Sequence, residues 1–440
     1  MVSKIMDILS KLHSSYWFIP LLMAISAFFL SIFTIYLDQM ALPNWLASMG
    51  WALTNKPENA ATFLSTIATS IITVAGVVFS MTIVAVSFAA SQIGPRLISN
   101  FMRDKSNQVT LGIFISIFLY CLFILLALFN LGGDGTSKPF IPQISLMVAL
   151  FLTLIGVGAL IFFIHHTPES INISYVIARV GEELTQQIDC LFPSKIGYAG
   201  PIVESISSDR KKHDSTVTAS CHGYIRILDG ASLINIACKY DLLIEIKAKP
   251  GDYIVEDEAL LIIHAKETIN ETLKKECIKV FAFGAERNQE QDILFFINEM
   301  VEIIARALSP SMNDPFTAMT CMNWLQLFLH KLAKTPIPSN HRYDKSKQLR
   351  IIAPTLSFGD FCNLIFSRIR PYVCKDKNAT LHMMKIIHQI NKTIVNAEYK
   401  ALLIAHAISL KNAALSCQLS EDIKDINRLF QRYFGQQVGN

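Results

Sequence analysis

Eight small residues recur along one uncharged stretch of the chain: Thr62, Thr66, Thr69, Thr73, Gly76, Ser80, Ser87 and Ser91. Steps of three, four or seven put them on one face of a helix. Hydroxyls in such a row can replace part of an ion's hydration shell, and polar residues inside membrane segments tend to face a cavity, so the row reads as the lining of a water path. The same residue types let helices approach closely and hydrogen-bond across the contact, so helix packing is the alternative. A second set, Arg306, Ser309, Pro310, Asn313, Asp314 and Pro315, surrounds a turn. Ser309-Pro310 ends one predicted helix (292–308, with Glu302 and Arg306 as an i, i+4 pair), and Asp314 with Pro315 has the residue types of the N-cap and first position of the next. The plain reading is a capped helix-turn-helix. A functional one has Arg306, Asn313 and the helix N-terminus hold an anionic group, which the charge of Asp314 opposes.

Other chemistry is not legible. The nine cysteines are scattered without C-x-x-C or zinc-ligand spacing, and His382, His388 and His406 read as ordinary helix-face residues. There is no H-E-x-x-H, nucleophile elbow, P-loop or dinucleotide glycine fingerprint. The expectation is no metal, no cofactor and no enzyme activity.

The elements that carry these residues follow from composition. Of 440 residues 52% are hydrophobic and 17% charged, against roughly a quarter charged in a soluble protein. Only 12 of the charged residues fall in the first 164 positions, and the other 62 follow. The chain therefore joins a membrane segment to a domain of water-soluble composition. Net charge is +4, too small for a strongly basic nucleic-acid domain.

Four uncharged runs, about 16–37, 60–92, 106–131 and 140–164, exceed the roughly 20 residues that cross hydrocarbon. The first is too long for a secretory signal and reads as a retained helix. The second is overlong, so it must tilt, break near Gly76 or project, and projection is the expectation. Lys4, Lys11, Arg96, Arg103 and Lys105 flank the spans on one side, with Lys56 and Lys138 on the other. That bias predicts that both termini lie in the cytoplasm, where the cysteines stay reduced.

The expected order is a four-helix transmembrane domain (1–165), a connector (166–214) with an amphipathic helix, a small β domain (215–265) and a helical cytoplasmic domain (266–440). The segments His222-Gly223-Tyr224-Ile225 and Gly251-Asp252-Tyr253-Ile254 resemble the half-repeat of lipoyl and biotinyl carriers, but neither turn has the carrier lysine. A compact β-barrel or sandwich is expected there. Residues 334–350, basic and with prolines near the start, read as a solvated linker.

Gly76-Val77-Val78-Phe79-Ser80-Met81-Thr82, Ser91-Gln92-Ile93-Gly94-Pro95-Arg96, Arg306-Ala307-Leu308-Ser309-Pro310 and Asn313-Asp314-Pro315-Phe316-Thr317-Ala318 together resemble the bacterial membrane family called domain of unknown function 2254. The family generally has Pro-Gly where this chain has Pro310-Ser311, which questions a left-handed glycine in that turn. The resemblance implies a family and no activity. The functional expectation is an oligomeric channel or transporter gated by its cytoplasmic domain, its partners the lipid bilayer and further copies of itself. The alternative is a non-conducting sensor or scaffold that binds a cytoplasmic partner.

Overall fold

A computed structural model of the chain describes residues 15–40, 56–93, 104–131, 140–201 and 213–438. The chain divides into two compact units, one within Lys11–Asn172 and one from Ile173 onward.

Among the described residues the first unit holds four helices, α1 (Phe18–Gln39), α2 (Pro57–Ile93), α3 (Lys105–Leu131) and α4 (Gln143–Ile171), all long and apolar enough to cross a membrane. α3 packs against the other three. Its Phe114, Ile117, Tyr120 and Ile124 meet Leu64, Ile67 and Ile71 of α2 and Leu146 of α4 in one core. The outer surface is apolar as well: Phe29 and Phe33 of α1, Val84 and Phe88 of α2, Phe129 of α3 and Phe151 and Ile161 of α4 are exposed. A bundle that is apolar all round has the surface that hydrocarbon solvates. α2 runs unbroken through Gly76 for 37 residues, about 55 Å at 1.5 Å per residue against roughly 30 Å of hydrocarbon. The residues expected to stop it, 94–96, lie outside the described residues.

Polar contacts close the bundle at both ends. Near the end of α1, Asp38, 5% exposed, accepts hydrogen bonds from Ile144 N at 2.8 Å, Ser145 N at 3.0 Å and Ser145 Oγ at 2.6 Å. One helix thus caps the start of another, where backbone N–H groups lack partners and the helix dipole favours negative charge. Tyr120 of α3 donates to Ser145 O at 3.1 Å and shares a 3.0 Å hydrogen bond with Thr34 of α1. At the other end Asp104 caps α3 through Ser106 N at 2.9 Å, and its second oxygen lies 2.9 Å from Nε2 of His166 in α4.

In the second unit α5 (Ile173–Gln186) buries Ile177, Val180, Gly181 and Leu184, the face expected of the connector. It packs on α8 (Ile293–Ala307) and α9 (Pro315–Leu332). A Cβ on Gly181 would sit 2.5 Å from the Trp324 ring, so this contact requires glycine.

The β region is larger than expected. A six-stranded sheet has the order β1 (Tyr198–Ala199), β8 (His341–Tyr343), β9 (Leu349–Ile352), β4 (Leu243–Ile246), β6 (Ala259–Ala265), β2 (His213–Thr218), with only β4 and β9 parallel. A three-stranded sheet has β3 (Gly223–Leu228) between β5 (Tyr253–Ile254) and β7 (Phe281–Gly284). Both sheets have open edges, so neither is a closed barrel. They share one apolar core with α6 (Gly230–Lys239) and α7 (Glu271–Ile278), built on Ile225, Leu228, Leu233, Ile244, Ile263, Leu273 and Ile351. Lys249-Pro250-Gly251-Asp252 forms the expected turn, with Gly251 at φ +93 and Asp252 N bonded to Lys249 O at 3.1 Å.

β8 and β9 overturn the linker reading of 334–350. Arg342 is 3% exposed and donates to the carbonyls of Ile196, Ser194 and Gly197. Arg350 donates to Asp344 at 2.8 Å and to Asp241 at 2.6 Å. Burying a guanidinium requires such matching. The partners lie more than a hundred residues away in four of these five contacts, beyond the reach of local composition. Four helices complete the unit: α10 (Phe358–Val373), α11 (Lys377–Thr393), α12 (Ala397–Leu415) and α13 (Ser420–Val438).

The Asp38 clasp is open to test. Replacing Asp38 by Ala removes a carboxylate cap and leaves Ile144 N and Ser145 N unpaired. This should cost about 1–3 kcal/mol and lower the melting temperature of the full-length protein in detergent, with Asp38→Asn, which keeps an acceptor, falling between.

Candidate functional site

The hydroxyl row lies on α2, and the helix sets its direction. The side of α2 turned into the bundle is a seam of Ala60, Leu64, Ile67, Ala68, Ile71, Ala75, Val78, Thr82 and Ala85, all buried. Thr62, Thr66, Thr69, Thr73, Ser80 and Ser87 each stand two residues beyond a member of that seam. Two residues are about 200° of helix, so the row occupies the opposite side. Thr62, Thr66, Thr69, Thr73, Gly76, Ser80 and Ser87 are all exposed, and a Cβ on Gly76 would meet nothing within 4 Å. The side chain of Ser91 lies outside the described residues. Packing of these positions therefore takes a partner other than α1, α3 or α4.

Three of the threonines turn their hydroxyl protons back onto their own helix: Thr62 Oγ1 to Glu58 O at 2.9 Å, Thr66 to Thr62 O at 2.7 Å and Thr73 to Thr69 O at 2.7 Å. Their oxygens keep free lone pairs on the outer face, which can accept from water or lie against a cation. Ile72, Val77, Phe79 and Phe88, all exposed, flank the row with apolar surface, and exposed Val84, two residues beyond Thr82, stands in the row between Ser80 and Ser87.

The turn before α9 takes its structural form. α8 ends at Ala307, and Ser309 N, Asn313 N and Asp314 N close the turn on Arg306 O, Ser309 O and Ala307 O at 3.0, 2.9 and 2.8 Å. Asp314 accepts from Thr317 N at 3.1 Å and Thr317 Oγ1 at 2.5 Å, with Pro315 at the first helical position. Arg306 pairs with Glu302 at 3.4 Å, and the Ser309 and Ser311 hydroxyls are 3.0 Å apart. The carboxylate thus occupies the place an anion would take. The left-handed position is Asn313, at φ +47, a residue type that tolerates it, which explains why serine is accepted at 311.

Sequence reasoning passed over a groove of about 500 Å³ between α9, α11 and α13. Phe316, Met319, Leu381 and Leu429 form its apolar part, and Lys385 and Arg432 line it with charge. Phe316, from the same turn, is 69% exposed. The three histidines have local partners. His382 shares a 2.7 Å hydrogen bond with Asn323, His388 stacks on Tyr433 at 4.2 Å, and His406 shares a 3.0 Å bond with Asn363. Burial holds the His406 imidazole down to about 4, so it is neutral at physiological pH.

Four helices long and apolar enough to cross a membrane are followed by a mixed α/β region and further helices. The chain belongs to the family described as Predicted membrane protein (DUF2254), which it matches over residues 13–389. It is similar to Uncharacterized protein Rv1290c of Mycobacterium tuberculosis (strain ATCC 25618 / H37Rv) and Uncharacterized protein Mb1321c of Mycobacterium bovis, 27% identical over 352 residues in each case. The match covers 77% of this chain and 65% of each mycobacterial protein. No solved structure gives a significant match.

Asp314→Ala should cost about 0.5–2 kcal/mol and lower the thermal midpoint of the full-length protein. Asn313→Gly should be neutral, because glycine accepts the same backbone angles, whereas Asn313→Val should destabilise by about 1–2 kcal/mol. An unchanged melting curve for Asp314→Ala would remove the structural assignment of the turn.

Proposed function

We propose that the protein is a homo-oligomeric channel or transporter of a bacterial inner membrane, in which each copy turns the hydroxyl face of α2 toward a shared axis. What supports the reading is one observation: the row of Thr62, Thr66, Thr69, Thr73, Gly76, Ser80 and Ser87 faces away from the helices of its own bundle. Hydrocarbon offers those oxygens no donor, and small residues give lipid less contact than the phenylalanines beside them. A water column or the same face of another copy offers both a donor and a close fit. The length of α2 adds support, since a helix that outruns the bilayer needs cover from other protein surface. The lysine and arginine bias puts both termini and the α/β unit in the cytoplasm, where that unit gates or assembles the membrane part. The reading assigns no catalytic step, cofactor or metal, and no nucleic acid.

A second reading is a non-conducting sensor or scaffold. The groove beside Phe316 favours it, because an exposed aromatic over an apolar floor, with Lys385 and Arg432 alongside, is a surface a partner could cover.

Single cysteines in a background without native thiols separate the two. In the channel reading a water-borne thiol reagent labels positions 66, 73 and 80, since water-facing thiols ionise readily, and spares 72 and 79 on the flanks and 78 in the bundle seam. Leucine at 73 or 80 then reduces ion flux into reconstituted vesicles by dewetting the path. Protection along the whole row with no flux leaves the scaffold reading.

A further inference from the structure

Cys374 follows the last residue of α10, and Cys417 sits in the turn between α12 and α13. Their sulfurs are 3.9 Å apart although 43 residues separate them in sequence. Cys374 is buried and Cys417 is exposed. The two segments are held together independently of the thiols. Gln418 Nε2 donates to Cys374 O at 2.9 Å and to Thr380 Oγ1 at 3.0 Å, and Thr380 donates to Val373 O at 2.8 Å. Lys377, at the start of α11, pairs with Asp422 at 3.0 Å and Asp425 at 2.7 Å in the first turns of α13. A sulfur–sulfur distance at van der Waals contact closes to a bond of about 2.05 Å by small side-chain rotations.

We infer that Cys374 and Cys417 form a redox-modification site that accepts oxidising equivalents from a low-molecular-weight disulfide and closes into a reversible intramolecular bridge. Exposure dictates the order of events. The Cys417 thiolate attacks one sulfur of the small disulfide, forming a mixed disulfide and releasing one small thiolate. The Cys374 thiolate then attacks the Cys417 sulfur, forming the protein disulfide and releasing the second small thiolate. Two electrons pass from the protein to the small disulfide, and the two thiol protons end on the two small thiols released. Burial pushes the Cys374 thiol up, which leaves the exposed Cys417 as the first to react. The bridge staples the end of α10 to the turn that starts α13, which lines the groove beside Phe316.

The experiment uses the full-length protein, reduced, purified in detergent and then treated with oxidised glutathione. Peptide mapping under non-reducing conditions should recover a linked pair containing Cys374 and Cys417, lost on adding dithiothreitol. The C374S variant, unable to complete the second step, should accumulate glutathione on Cys417. Oxidised wild type should melt several degrees above the reduced form, a difference that C374S and C417S both lose. Glutathione retained on Cys417 of the folded wild type without a bridge would overturn the proposal. So would a bridge from Cys417 to a different cysteine, or one that forms only after denaturation.

Discussion

A polar atom in hydrocarbon needs a polar neighbour inside the protein, because each one left bare costs several kcal/mol. The membrane unit is arranged around that constraint. The Asp38 carboxylate takes three hydrogen bonds from the start of α4, and Tyr120 ties the same turn to α1 and α3. At the far end Asp104 and His166 do the same for α3 and α4. The core between these ends is apolar and needs no such help. The hydroxyls of Thr62, Thr66 and Thr73 are arranged differently: they lie on the outer face of α2 and bond back to their own helix. The proposal of a shared path between copies rests on that outward face of seven small, mostly hydroxylated positions.

The membrane half was largely legible from sequence because its signal is long and simple. Charge-free runs located all four helices, with ends shifted by at most three residues except at the close of α4, which continues to Ile171. Sequence shows that Asp38 ends an apolar run and cannot show that it reaches α4. The direction of the row was hidden for a similar reason. Periodicity put its members on one face, but only the buried seam two residues back along the helix reveals which way that face turns.

The α/β half was legible where the information is local. The Asp314 cap, the Glu302–Arg306 pair and the amphipathic α5 are all as the spacing predicts. It failed where strands pair over long distances. β8 and β9 join a sheet whose other strands lie about a hundred residues earlier, and their arginines are buried against carbonyls and carboxylates drawn from residues 194–197, 241 and 344. A basic stretch looks solvated until those partners are known. The left-handed position of the turn was not located from sequence: Ser311 put a left-handed glycine there in doubt, and the backbone takes that conformation at Asn313.

The central claim is that the outward face of α2 meets the same face of another copy. Single cysteines at 66, 73 and 80, in an otherwise cysteine-free chain in native membranes, test it most directly under a mild oxidant. The account predicts covalent dimers from all three positions and none from residue 72 on the flank. Dimers from residue 72 with none from the row, or no dimers at any position, would contradict it.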